Sequence, residues 1–127
     1  MHLVAIVIAL ALLEYAWIGL RVGQARTQYG VQAPATTGHE VFERWFRVQQ
    51  NTVEQLVLFL PSLWLFATYV GPRLAAVLGL VFIVGRFLYA QGYVADPAKR
   101  SQGFITGFVA TALLLLGGLL GAVWTWF

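Results

Sequence analysis

Phe42-Glu43-Arg44-Trp45-Phe46-Arg47-Val48-Gln49-Gln50-Asn51-Thr52-Val53-Glu54 runs without a break into the uncharged, apolar stretch 55–70. A ribbon of charged and hydrogen-bonding groups thus enters a segment whose composition belongs in a bilayer. On a helix advancing about 100° per residue, Arg47, Asn51 and Glu54 share one face about 60° wide. Such groups are costly to bury in hydrocarbon, so a stripe of this kind lines a site or meets partners. A cation, an amide and a carboxylate on one face fit a small zwitterionic ligand.

The surroundings of this stretch set the fold class. Of the 127 residues, 60% are hydrophobic and only 10% charged, far from a soluble-domain composition. Four windows carry the apolarity. Window 3–20 holds one charge, Glu14, and window 55–70 holds none; window 74–95 holds one, Arg86, and window 104–127 none. Each approaches or exceeds the roughly 20 residues that cross a bilayer, the second once its polar lead-in is counted. The expectation is an all-α, integral-membrane four-helix bundle, a single domain over 1–127 with spans at about 3–23, 41–70, 74–95 and 98–126. The first span reads as a retained helix and not a cleaved signal, because its flank is nearly uncharged and Glu14 interrupts it.

Positive charge is unevenly placed. Arg21, Arg26, Arg44, Arg47, Lys99 and Arg100 lie on the side of loops 1 and 3, and only Arg73 lies on the other. This bias puts loops 1 and 3 in the cytoplasm and both termini outside. The net charge of +3 therefore reflects topology and site residues, with no nucleic-acid partner implied. The chain has no Cys, which excludes disulfides, thiolate metal sites and a Cys nucleophile. No metal site is expected at His39, a loop residue, or at the terminal His2.

Local signals place the joints. Gly30–Gly38, with Pro34 and two Thr, reads as a loop, and Thr37 followed by Glu40 has capping-box spacing, so the second helix is expected to begin near Gly38. Pro61 should kink that helix. Gly71-Pro72 is a turn, and Asp96-Pro97 reads as an N-cap with Pro at N1 opening the fourth helix. Gly19/Gly23, Gly103/Gly107 and Gly117/Gly121 either mark places where backbones approach closely or reflect only the high frequency of Gly in membrane helices, with neither reading favoured for a single pair.

A second polar stripe lies on the third helix, where Arg86, Tyr89 and Tyr93 share a face and Arg100 follows across a short loop. Arg forks hold carboxylates in bidentate fashion. Glu54 can receive an ammonium group, and Tyr hydroxyls donate to anions. Blander readings apply to single members: Tyr93 and Lys99 as interface anchors, Trp124 and Trp126 as belt residues, Glu54 as half of a buried ion pair. Glu14 reads as a buried partner of Arg86 or Asn51 before it reads as a catalytic group.

Phe42-Glu43-Arg44-x-x-Arg47-x-Gln49-x-Asn51-x-x-Glu54, with Gly85-Arg86-x-x-Tyr89-x-x-Gly92-Tyr93, resembles the MAPEG family of membrane-associated proteins in eicosanoid and glutathione metabolism. Arg21-Val-Gly-Gln-Ala-Arg26 with Thr37-Gly38 is similar to that family's first loop. The likeness covers nearly the whole chain and is strongest to the microsomal glutathione transferase 2 and leukotriene C4 synthase branch. It implies a homotrimer in the lipid bilayer, with glutathione as co-substrate bound between neighbours and a lipophilic small-molecule electrophile as the other reactant. The resemblance assigns Arg26, Arg47, Gln49, Asn51, Glu54, Arg86, Tyr89 and Tyr93 to glutathione binding. It makes Arg100 the catalytic arginine that lowers the glutathione thiol pKa. Gln55 and Val57 depart from the family's Tyr and nearby Pro. Thr27 stands where leukotriene-forming members carry a second arginine, which lowers the odds of that chemistry.

Physical chemistry agrees with the implied role. A thiol with pKa near 8.5 is a few per cent ionised at pH 7, and the thiolate is the nucleophile. A guanidinium within a few ångströms in a partly dry cleft can lower that pKa by about two units, roughly 2.7 kcal/mol. The function implied is glutathione conjugation of lipophilic electrophiles, with glutathione-dependent reduction of lipid hydroperoxides as a further activity. The competing classes are a non-catalytic lipid-presenting scaffold of the same family and a small proton-coupled drug transporter built on Glu14. The first is opposed by Arg47 and Arg100, the second by the two polar stripes. A single Lys among eight basic residues and the lack of Cys point to a bacterium with a GC-rich genome, and so to its inner membrane.

Overall fold

Four long helices form because long apolar windows leave the backbone no better partner than itself. The computed structural model describes all 127 residues. It contains α1 (His2–Gln28), α2 (Glu40–Tyr69), α3 (Pro72–Ala95), a one-turn 3-10 helix (Pro97–Lys99) and α4 (Ser101–Trp126). All four α-helices are long and apolar enough to cross a membrane. At 1.5 Å per residue even the 24-residue α3 exceeds the ~30 Å hydrocarbon core.

The helices pack as an antiparallel bundle in which α2 and α3 are central. Each of them touches the other and both flanking helices, α1 and α4. Large apolar side chains point outward, among them Leu3, Ile6, Leu10 and Leu13 on α1 and Leu113, Leu116 and Leu120 on α4. Small ones point inward, including Ala11, Ala75, Ala76 and Ala110. That arrangement suits a lipid solvent, where close backbone packing replaces the hydrophobic effect as the glue. The closest approach joins α3 to α4: a Cβ on Gly103 would lie 2.1 Å from the Tyr89 nitrogen, and one on Gly85 2.6 Å from the Gly107 nitrogen. The expected close packing at Gly103/Gly107 and Gly117/Gly121 is present. At Gly19/Gly23 it is not, since Gly19 meets only the Gln49 side chain and Gly23 nothing.

The joints differ from expectation at two helix starts. The second helix begins at Glu40, and its cap is His39, not Thr37. His39 is extended, its Nδ1 accepts from the Val41 N–H at 3.1 Å, and Glu43 accepts from the Gly38 N–H at 3.3 Å. Stacking of His39 on Tyr29, with ring centroids 3.8 Å apart, holds the imidazole in capping position. At the other joint, Asp96 caps the 3-10 turn by accepting from Ala98 N–H at 3.1 Å, so α4 proper starts at Ser101 and not at 98. Across Pro61 α2 remains one continuous helix.

Buried side chains fall into two apolar clusters. One, built from Val4, Val7, Leu56, Phe59, Leu63, Phe82 and Leu114 among others, fills the end near the termini and the α2–α3 turn. The second, including Ile18, Val22, Phe42, Trp45, Val48 and Tyr89, lies at the end carrying the α1–α2 loop and the α3–α4 turn. Arg86 and Thr52 occupy the level between them.

Candidate functional site

At the loop end, α2, α3 and the start of α4 bring polar groups to two neighbouring cavities. Arg100, Asn51 and Tyr89 line the first, of about 210 Å3, together with Ser101, Phe104 and Ile105. Arg47 and Tyr93 line the second, of about 470 Å3, with Thr36, Thr37, Glu40, Glu43, Arg44, Phe46 and Pro97. Tyr89 of the first and Tyr93 of the second are stacked neighbours, with ring centroids 5.7 Å apart. The two cavities hold five of the nine expected site residues.

The other four lie elsewhere. Glu54 is exposed one turn beyond Asn51 on the outer face of α2 and lines neither cavity. It forms no ion pair; the pair present in the chain joins Arg44 to Glu40. Gln49 turns toward α1, its amide against Gly19. Arg26 is committed to its own loop, donating to Ala35 O at 2.8 Å and Val31 O at 3.4 Å with its guanidinium over the Phe42 ring. Arg86 is 1% exposed and stands behind the first cavity, its guanidinium carbon 4.3 Å from the centre of the Tyr89 ring.

Arg86 is held by a short relay. Its Nη2 donates to Thr52 Oγ1 at 2.8 Å, and Thr52 donates in turn to the Val48 carbonyl at 2.7 Å. The buried Arg86 Nε and Asn51 Oδ1 have no partner within the chain. Asn51 thus keeps a buried, unpaired amide acceptor in a residue that lines the first cavity, an exception to the rule that buried polar atoms are hydrogen-bonded. No ion pair joins Glu14 to Arg86.

The arrangement has a chemical sense. Arg100 supplies a cation at the mouth of α4, where the helix N-terminus adds its partial positive charge. Tyr89 and Asn51 offer hydrogen-bonding groups to the same cavity, and Phe104, packed against the Tyr89 ring, and Ile105 give it apolar surface. Three contributors escaped sequence reading. Thr52 shows itself only through Arg86, 34 residues away. Phe104 and Ile105 look like any other membrane-facing residues of a continuous apolar window.

This geometry can be set beside known proteins. The profile of the MAPEG family matches residues 4–120. The chain belongs to the MAPEG family. Within it, the chain is 51% identical over 120 residues to an uncharacterised protein of Synechocystis, covering 94% of this chain and 88% of that one. It is 44% identical over 119 residues to human microsomal glutathione S-transferase 2, covering 94% and 81% of the two chains. Bovine leukotriene C4 synthase is 36% identical over 119 residues, with 94% and 79% covered. Family membership and four spanning-length helices make this an integral membrane protein.

Proposed function

We propose that this MAPEG protein is a membrane-embedded glutathione transferase, which ionises the glutathione thiol and conjugates it to lipophilic electrophiles. The observation that carries the reading is the first cavity, which Arg100 lines together with polar Asn51 and Tyr89 and apolar Phe104 and Ile105. A cation there can hold a thiolate while an electrophile arrives from the lipid side. The named activities of the human and bovine relatives support the same assignment.

Each residue has a part in this scheme. Arg47 binds a glutathione carboxylate, Glu54 the ammonium group, and Asn51, Gln49, Tyr89 and Tyr93 the amides and the thiol. Arg26 orders the loop that closes the site, and Arg86 keeps Tyr89 oriented. Glu54 is exposed and unpaired in the single chain, which fits a homotrimer whose neighbours cover this edge of α2 and complete the glutathione cleft. The thiol proton leaves to water. The sulfur then forms its bond to carbon as the carbon's bond to the leaving group breaks. With a lipid hydroperoxide, the thiolate attacks the outer oxygen and the O–O bond breaks, giving the sulfenic acid of glutathione and an alkoxide that takes a proton from water; a second glutathione thiol then displaces water from the sulfenic acid and forms the disulfide. The basic bias at the loop end supports a reading with that end in the cytoplasm of a bacterium and the protein in its inner membrane.

Thiolate formation tests this directly. Adding glutathione to detergent-purified protein near neutral pH should raise ultraviolet thiolate absorbance, and Arg100→Ala should remove the rise while glutathione still binds. The conjugation rate should climb with pH as the bound thiol ionises, and Arg100→Ala should move that climb about two pH units higher. A wild-type protein that binds no glutathione would refute the assignment and restore the lipid scaffold.

A further inference from the structure

Arg44 is the arginine at the site that this scheme leaves without a part. It lines the second cavity with Arg47 and Tyr93, yet its guanidinium is spent on the protein itself. Nη1 donates to Val94 O at 3.0 Å and to Ala95 O at 3.2 Å, and Nη2 pairs with Glu40. Both carbonyls belong to the last turn of α3 and have lost their usual donors. The Ala98 N–H that would reach Val94 goes to the Asp96 carboxylate, and the Lys99 N–H that would reach Ala95 goes to Asp96 O at 2.8 Å. A helix end leaves such carbonyls open, and a cation there also answers the helix dipole. Arg44 therefore fastens the end of α3 to the first turns of α2.

What hangs from that fastening is Arg100. Its Nη1 donates to Pro97 O at 3.3 Å, within the 3-10 turn that starts directly beyond the clamped carbonyls. The turn is also packed hard against α3, where a Cβ on Gly92 would lie 2.5 Å from Lys99 O. The turn is thus held to the end of α3, and Arg44 supplies the polar tie from that end to α2, beside the packing of α4 on α2. Arg47, one helical turn along α2 from Arg44, shares that frame. We propose that Arg44 is a positioning residue, which sets the distance between the α3–α4 turn carrying Arg100 and the α2 face carrying Arg47 and Asn51. This rests on the transferase reading. A displacement of order 1 Å at a reacting group can cost about 10²-fold in rate, so the clamp matters for turnover more than for binding.

The test compares wild type, Arg44→Ala, Arg44→Lys, Arg100→Ala and the Arg44→Ala/Arg100→Ala double variant, reading glutathione affinity and the pH midpoint of thiolate absorbance. Arg44→Ala should raise the midpoint by about one pH unit and slow conjugation about tenfold, with the glutathione dissociation constant within about threefold of wild type. Arg44→Lys, which keeps the charge but not the fork, should shift the midpoint in the same direction by less. The double variant should be no slower than Arg100→Ala alone, because Arg44 acts through Arg100. An unmoved midpoint in Arg44→Ala, a tenfold loss of affinity with a normal midpoint, or a further loss in the double variant would each overturn the proposal. If Arg44→Ala does not fold, Arg44→Lys decides, and a wild-type midpoint there overturns it. Wild-type protein that binds glutathione without ionising it sinks the transferase reading and the clamp together; a normal wild-type signal with unmoved variants sinks the clamp alone.

Discussion

At the end near the termini, Phe59 stacks on Phe82 with centroids 3.8 Å apart and planes 4° from parallel, surrounded by Val, Leu and Ala. At the loop end the corresponding aromatics are Tyr89, Tyr93, Trp45 and Phe42, and arginines lie over three of them. Arg86 sits over Tyr89, Arg21 over Trp45 at 4.9 Å, and Arg26 over Phe42 at 4.6 Å. Both ends are aromatic and both are well buried. They differ in what the rings face: apolar neighbours in one, guanidinium groups in the other. Cation–π contacts gain strength when desolvated, so the loop end keeps charge close to the membrane while still packing densely. The terminal end is packed apolar throughout, and the loop end gathers the cationic groups.

The contrast can be tested most severely where helices touch through backbone. Gly103→Ala drives a methyl into the Tyr89 backbone, whereas Gly117→Ala meets the Phe66 ring at 2.6 Å, and a side chain can turn aside. Gly103→Ala should lower stability by about 3 kcal/mol or more and abolish thiolate formation, Gly117→Ala by about 1 kcal/mol with the site intact. Thermal unfolding in detergent with and without glutathione separates them; equal losses would mean that the two interfaces are equivalent. Next in size, Phe59→Ala opens a cavity in the terminal end and should cost about 2–3 kcal/mol, because in lipid the loss is one of packing. Its glutathione affinity in the folded fraction should match wild type, and a shifted affinity would show that the ends are coupled. The smallest effect is expected at Glu14, on α1 near the boundary between the ends. Glu14→Gln should change stability by about 1 kcal/mol or less and turnover by less than about twofold. A selective loss of proton-coupled transport would revive the transporter reading.

How far the chain could be read follows from what each feature depends on. The four helices were legible because composition in a window of about 20 residues settles whether a helix can cross a bilayer. Their joints were less so: Thr37 and Glu40 have the spacing of a cap, but the cap went to His39, whose ring is held by Tyr29 across the loop. Within the site, helical spacing correctly put Arg47, Asn51 and Glu54 along one side of α2. It could not show that Arg47 and Asn51 open onto different cavities, or that Glu54 is exposed on the outer face of the bundle, since that depends on where α3 and α4 lie. Arg44 was legible only as a charge at the membrane boundary. Its partners Val94 and Ala95 are 50 and 51 residues away, and backbone carbonyls leave no mark in a sequence.

The hydrogen bond from Arg86 to Thr52 also acts as a depth gauge. Two apolar helices in lipid can slide along each other with little penalty, because every level of the interface resembles the next. A slip of α3 against α2 by one turn, about 5.4 Å, would keep most apolar contacts but strand a buried guanidinium opposite Val48 or Leu56. With the Arg44 bonds to Val94 and Ala95 at the end of the same pair, that polar rung favours one vertical alignment of α2 and α3, and with it Tyr89 stays level with Asn51.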